Sequence, residues 1–116
     1  MIQHVNVVVP PGATDRVAAF YVDVLGLTRV PKDPAAGEPA RGAWLDVAAG
    51  QQVHLSERDG AAHPDAHFAL VVDDLEAVRR RVAAAGAPWQ DAASVGGARR
   101  AFTRDPAGNR IELVAG

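Results

Sequence analysis

"HFALVVDDLEAV", residues 67–78, is where the chain starts its plan a second time. Its first six residues are apolar or β-branched after the leading His67, which is the composition of a strand. Asp73 with Glu76 three positions later forms a capping-box pattern, with Asp in place of Ser or Thr. Leu75, Val78 and Val82 then recur at helical spacing, and Gly86 stands where such a helix would end. The same order opens the chain. "IQHVNVVV", residues 2–9, reads as a strand, and Pro10, Pro11 and Gly12 stop it. Thr14 is the expected N-cap of a helix whose apolar face is Val17, Phe20, Tyr21, Val24 and Leu25, with Gly26 at its end.

Three strand candidates follow each helix. In the first half they are "LTRV" (27–30), "GAWLDV" (42–47) and "QQVHLS" (51–56), with "AAG" as the hairpin turn between the last two. In the second they are "APWQDA" (87–92), "RRAFTR" (99–104) and "RIELV" (110–114), the last preceded by the turn signal "DPAGN". The expected fold is α+β. Two βαβββ modules stand in tandem within a single domain, module one at about 1–58 and module two at about 66–116. Residues 31–41 and 92–98 are expected to be loops.

Composition narrows the function. The 116 residues are 48% apolar, enough for a folded core. Cysteine is absent, which excludes disulfides, thiolate metal sites and cysteine nucleophiles. A net charge of −2 gives no footing for nucleic acid. The run Arg79-Arg80-Arg81 falls on a helical pattern and reads as a solvated face. No apolar run approaches the ~20 residues of a membrane span. The first residues lack a basic region and a cleavage site, so they read as a strand rather than a signal peptide, and a cytoplasmic protein is expected.

The histidines fall at equivalent places. His4 and His67 lie in the first strand of each module. His54 lies in the last strand of module one, and Glu112 takes that place in module two. Side chains two apart share a strand face. Val5, Val7 and Val9 then point toward the helix, leaving His4 and Asn6 opposite. Val53 and Leu55, Phe68, Leu70 and Val72, and Ile111 and Leu113 do the same for His54, His67 and Glu112. A sheet curved around that open face gathers three imidazoles and a carboxylate, a donor set suited to Zn²⁺, Ni²⁺, Mn²⁺, Fe²⁺ or Co²⁺. His63 lies in the linker and is expected at the surface. Glu57 falls on the helix side of its strand and drops out as a ligand. Trp44, Phe102, Arg100 and Arg104 share the open face with Asn6. They are candidates to bind substrate, the guanidiniums suiting an anionic one.

These stretches, with "FYVDVLGL" (20–27) and above all "DPAGNRIELV" (105–114), resemble the vicinal-oxygen-chelate superfamily, which holds glyoxalases, bleomycin-binding proteins and extradiol dioxygenases. The resemblance covers nearly the whole chain. It implies a glyoxalase-like fold in which each module forms half of a metal-binding cup. Its metal positions fall on His4, His54, His67 and Glu112, with one divalent ion per site and Glu112 also a candidate base. It further implies a homodimer, His4 and His54 meeting His67 and Glu112 of a partner copy. The implied activity is lyase or isomerase chemistry in which the metal chelates adjacent oxygens of a small substrate and stabilises an enolate- or enediolate-type intermediate. Alternatives within the family are an antibiotic-binding or resistance protein, fosfomycin thiol-transferase-like or bleomycin-binding-like, and a single-domain extradiol-type dioxygenase.

Overall fold

Among the described residues, strands and α-helices follow one order twice, as the sequence pattern predicts. In the first repeat they are β1 (His4–Val9), α1 (Thr14–Asp23), β2 (Thr28–Val30), β3 (Ala43–Ala48) and β4 (Gln51–Glu57). In the second they are β5 (His67–Val72), α2 (Leu75–Ala84), β6 (Gln90–Val95), β7 (Ala98–Arg104) and β8 (Arg110–Ala115). The structure is a computed structural model that describes residues 1–37 and 41–116. Part of the expected loop at 31–41 carries a short 3-10 helix, Pro34–Ala36, and residues 38–40 of it lie outside the described residues. The chain divides into two compact units, Met1–Ala62 and His63–Gly116. Among the described residues no helix is long and apolar enough to cross a membrane.

Each unit is a four-stranded mixed sheet, ordered β1-β4-β3-β2 in the first and β5-β8-β7-β6 in the second. The first strand pairs in parallel with the last, which pairs antiparallel with the strand before it. The register reproduces the repeat. His4 lies opposite Gln52 and Asn6 opposite His54, as His67 lies opposite Arg110 and Ala69 opposite Glu112. On the other side, Trp44 faces His54 and Phe102 faces Glu112. The equivalence of His54 with Glu112 is therefore a fact of strand pairing.

One face of each sheet is closed by its helix. Val17, Phe20 and Tyr21 of α1 are buried with Leu45, Val53 and Leu55, while Leu75, Val78 and Val82 of α2 are buried, as are Ala101, Ile111 and Leu113. Burying a side chain of this size contributes about 1.5–3 kcal/mol each. Alternation leaves the histidine-bearing face polar and partly open.

Several local expectations are corrected. Thr14 is not the N-cap of α1: that place is held by Ala13, which makes no side-chain cap bond. The Thr14 hydroxyl instead donates to Glu57 Oε2 at 2.6 Å and accepts the Gly42 N–H at 2.9 Å. Glu57 Oε1 accepts the Gly12 N–H at 3.0 Å, so a carboxylate from β4 serves the turn that leads into the helix. The cap of α2 is Asp74 rather than Asp73, because the backbone stays extended through Asp74 and its side chain accepts the Ala77 N–H at 3.0 Å. Most of 92–98 is strand. β6 runs to Val95 and turns on Gly96 and Gly97, whose φ values of 60° and 79° favour glycine.

Candidate functional site

In the first unit, β1, β3 and β4 stack three rings on the open face. The His54 ring lies between His4, with centroids 4.0 Å apart and planes 14° apart, and Trp44, at 4.6 Å and 5°. Gln52 fixes the tautomer of His54. Its amide nitrogen donates to Asp46 Oδ1 at 2.7 Å, so its oxygen accepts His54 Nε2–H at 2.7 Å and Nδ1 keeps the lone pair. His4 Nδ1 likewise meets Gln3 Oε1. Burial holds the His54 pKa below its ordinary value, helped by the neighbouring His4 and Lys32, which favours the neutral form that a ligand needs. Lone pairs lie in the ring planes, so near-parallel rings aim them side by side. One ring must turn before both can hold one ion.

The second unit presents its pair differently. His67 Nδ1–H donates to the Asp65 carbonyl at 2.9 Å, and Nε2 lies 3.2 Å from Glu112 Oε2. Both ring nitrogens face oxygen acceptors, and the Nε2–Oε2 contact has hydrogen-bond length. Two ligand atoms bound to one Zn²⁺-sized ion, each about 2.0–2.2 Å from it, lie roughly 3.0–3.4 Å apart. The observed spacing matches that edge, and a backbone carbonyl on the far nitrogen is a common support of a ligating histidine. Arg100 Nη1 donates to Glu112 Oε1 at 2.8 Å while its Nε donates to the Ala93 carbonyl at 2.7 Å. That Arg100 bond, with the one to His67, holds the Glu112 carboxyl below its ordinary pKa despite burial. Phe102 sets its ring edge-on to His67, with the Arg110 guanidinium 3.7 Å above the ring centroid.

An open cleft of about 630 Å³ in the first unit includes His4, Asn6, Trp44 and His54 in its lining. Its lining also carries Lys32, Arg41 and Arg58. Among the described lining residues the carboxylate is Glu57, whose oxygens accept from Gly12 and Thr14 and whose Oε1 also pairs with Arg41 Nε at 3.8 Å, so one carboxylate stands against three cations. The cleft is therefore net cationic.

The expected residues fall into two groups. His4, His54, Trp44 and Asn6 lie on the open face of the first unit, where Asn6 Oδ1 accepts Ser56 Oγ–H at 2.6 Å. His67, Glu112, Arg100 and Phe102 gather in the second. Arg104 is tied to backbone, donating to the carbonyls of Gly108 at 3.0 Å and Pro64 at 3.2 Å. His63 is exposed, as expected. Among the described residues no group of three or more His, Asp or Glu side chains is close enough to hold an ion. Each unit supplies a pair. Sequence reasoning missed the tautomer-setting Gln52, the Arg110 stack and the cations of the cleft. Gln52 and Arg110 each lie two residues before a candidate ligand on the same strand face, a signal that was present. Lys32, Arg41 and Arg58 stand outside any periodic pattern and carried none.

The model of the Glyoxalase/Bleomycin resistance protein/Dioxygenase superfamily matches residues 1–113. No curated protein matches the chain. Solved structures do. A glyoxalase family protein from Bacillus anthracis is 26% identical, with a TM-score of 0.84 over 99% of this chain and 93% of that one. Lactoylglutathione lyase from Agrobacterium tumefaciens is 25% identical, with a TM-score of 0.74 over 100% and 93%. The fosfomycin resistance protein FosX from Listeria monocytogenes, as an E126Q mutant in complex with Mn(II) and a dihydroxypropylphosphonic acid, is 17% identical. Its TM-score is 0.80 over 100% and 92%, a likeness of fold.

Proposed function

The chain belongs to the Glyoxalase/Bleomycin resistance protein/Dioxygenase superfamily, and from that premise we propose that it is a divalent-metal-dependent enzyme of lyase or isomerase type acting on a small, oxygenated, anionic substrate. The observation that carries this reading is the His67–Glu112 pair, with its 3.2 Å spacing and the anchored Nδ1 of His67. His4, His54, His67 and Glu112 would hold the ion, and their nitrogen and carboxylate donors suit Zn²⁺, Ni²⁺, Mn²⁺, Fe²⁺ or Co²⁺. When bound, it would supply a Lewis acid for adjacent oxygens of the substrate. Glu112 would serve as the base only by leaving the ion, since its other oxygen is bonded to Arg100. Lys32, Arg41 and Arg58 attract and orient the anion, and Trp44 offers it an apolar wall. Each unit carries two of the four candidate ligands, which supports a homodimer in which the first unit of one chain would meet the second unit of a partner copy.

The test is metal content after purification from untreated cells, then calorimetric titration with the five ions, then turnover of methylglyoxal–thiol adducts, catechols and fosfomycin. The expected result is uptake of at least one ion with affinity lost in His67→Ala. A chain that carries no ion and binds none would refute the enzyme. The parallel stacking of His4 and His54 favours a second reading, a metal-free binding protein, for which ligand binding would persist in the presence of a chelator.

A further inference from the structure

Glu112 has two oxygens, and the structure gives them different occupations. Oε2 faces His67 Nε2, while Oε1 is held by Arg100 Nη1 at 2.8 Å. The guanidinium is fixed at both ends: its Nε is bonded to the Ala93 carbonyl of β6, and its carbon lies 5.5 Å from the Phe102 ring centroid. Both partners are largely buried, with side chains 23% and 15% exposed. Charge-assisted bonds of this kind are directional and roughly twice as strong as neutral ones. Oε1 keeps a second lone pair, but turning it toward an ion beside Oε2 strains that bond and its directed geometry.

The first unit offers an internal control. The station equivalent to Arg100 is Gly42, just before β3, which has no side chain. The station equivalent to Glu112 there is His54, and an imidazole offers an ion only one lone pair at a time. The arginine accompanies the one ligand that has a second donor atom to restrain.

On the metal reading given above, we infer that Arg100 is a positioning residue that confines Glu112 to one-oxygen ligation and so biases the site against large, high-coordinate ions. A carboxylate free to bind through both oxygens suits larger ions with six or more oxygen ligands, whereas Zn²⁺ and its like favour few, well-directed donors. The clamp acts on the ion through Glu112.

The experiment compares wild type, Arg100→Gln and Arg100→Lys. Zn²⁺ and Mn²⁺ affinities are measured by competition, and the visible spectrum of the Co²⁺-loaded protein is recorded. Arg100→Gln is expected to shift the Zn²⁺:Mn²⁺ affinity ratio toward Mn²⁺ by about tenfold, the scale of outer-shell effects on metal affinity. It should also weaken the Co²⁺ visible bands, as coordination number rises. Arg100→Lys, which keeps the charge, should lie between the two. An unchanged ratio and spectrum would overturn the clamp, as would a uniform change in all affinities, since a lost charge alone does not discriminate between divalent ions. Loss of the fold in both variants would make Arg100 merely structural and overturn it equally. Wild type that binds no ion would instead overturn the enzyme reading, and this inference with it.

Discussion

His54 and Glu112 occupy one station in two copies of the same unit, one as an imidazole and the other as a carboxylate, and both respond to falling pH in the same sense. Burial, with the neighbouring His4 and Lys32, holds the His54 pKa below 6.5. In the metal-free protein the unfolded chain takes up that proton first, so stability is level above about pH 6.5 and declines as pH falls toward the folded value. The Glu112 pKa is held below 4.5, chiefly by Arg100. Its contribution is fully present above about 4.5 and is lost as pH falls through the folded value. Urea unfolding of the metal-free protein should therefore show a two-part decline in midpoint, the first part flattened in His54→Asn and the second in Glu112→Gln. A first decline of equal size in wild type and His54→Asn would refute the assignment. The sequence revealed both residues, through alternation and repeat position. It did not reveal that Gln52 sets the tautomer of His54, because that depends on Gln52 reaching Asp46 across the β3–β4 hairpin.

At the scale of elements, Glu57 and Thr14 join three parts of the first unit. The carboxylate at the end of β4 receives the Gly12 N–H and the Thr14 hydroxyl at the entrance to α1, and that hydroxyl receives the Gly42 N–H just before β3. Thr14 is buried. Thr14→Val keeps the volume but leaves the Gly42 N–H and one carboxylate oxygen without a partner, at a cost of about 1–3 kcal/mol. Thr14→Ser should recover most of it, with urea midpoints as the measurement. Gly42 has φ +97°, and an added Cβ would meet the Leu55 carbonyl oxygen at 2.4 Å. Gly42→Ala should lose about 1–3 kcal/mol through backbone strain, with the clash in addition. Wild-type stability in that variant would show that the start of β3 can shift. Helices, strands and hairpins were legible from periodicity and turn residues. The caps were less so: Thr14 satisfies the sequence rule for an N-cap, but a tertiary partner, Glu57, claimed its hydroxyl.

At the scale of the whole molecule, each unit carries its own buried layer under one helix. Leu45 in the first and Leu113 in the second are fully buried. Replacing either with Ala should cost about 2–5 kcal/mol, the usual range for a buried leucine, read as a lower denaturation midpoint. The proposed sharing of ligands between copies makes a sharper prediction. A chain lacking His4 and His54 and a chain lacking His67 and Glu112 should each fail to bind an ion alone. Mixed, they should regain binding through one intact site per mixed dimer. No recovery on mixing, with wild type still binding, would place all four ligands in one chain.

The sequence by itself determined the two βαβββ units, the apolar face of each sheet and the strand stations of His4, His54, His67 and Glu112. These follow from local periodicity and a repeated order, which are written along the chain. Only the tertiary structure decided what those stations hold. Strand pairing stacked His54 between Trp44 and His4, bonded one oxygen of Glu112 to Arg100 and left the other facing His67. Those partners come from the strands that neighbour β4 and β8, and side-chain contacts across strands obey packing distance rather than spacing in sequence.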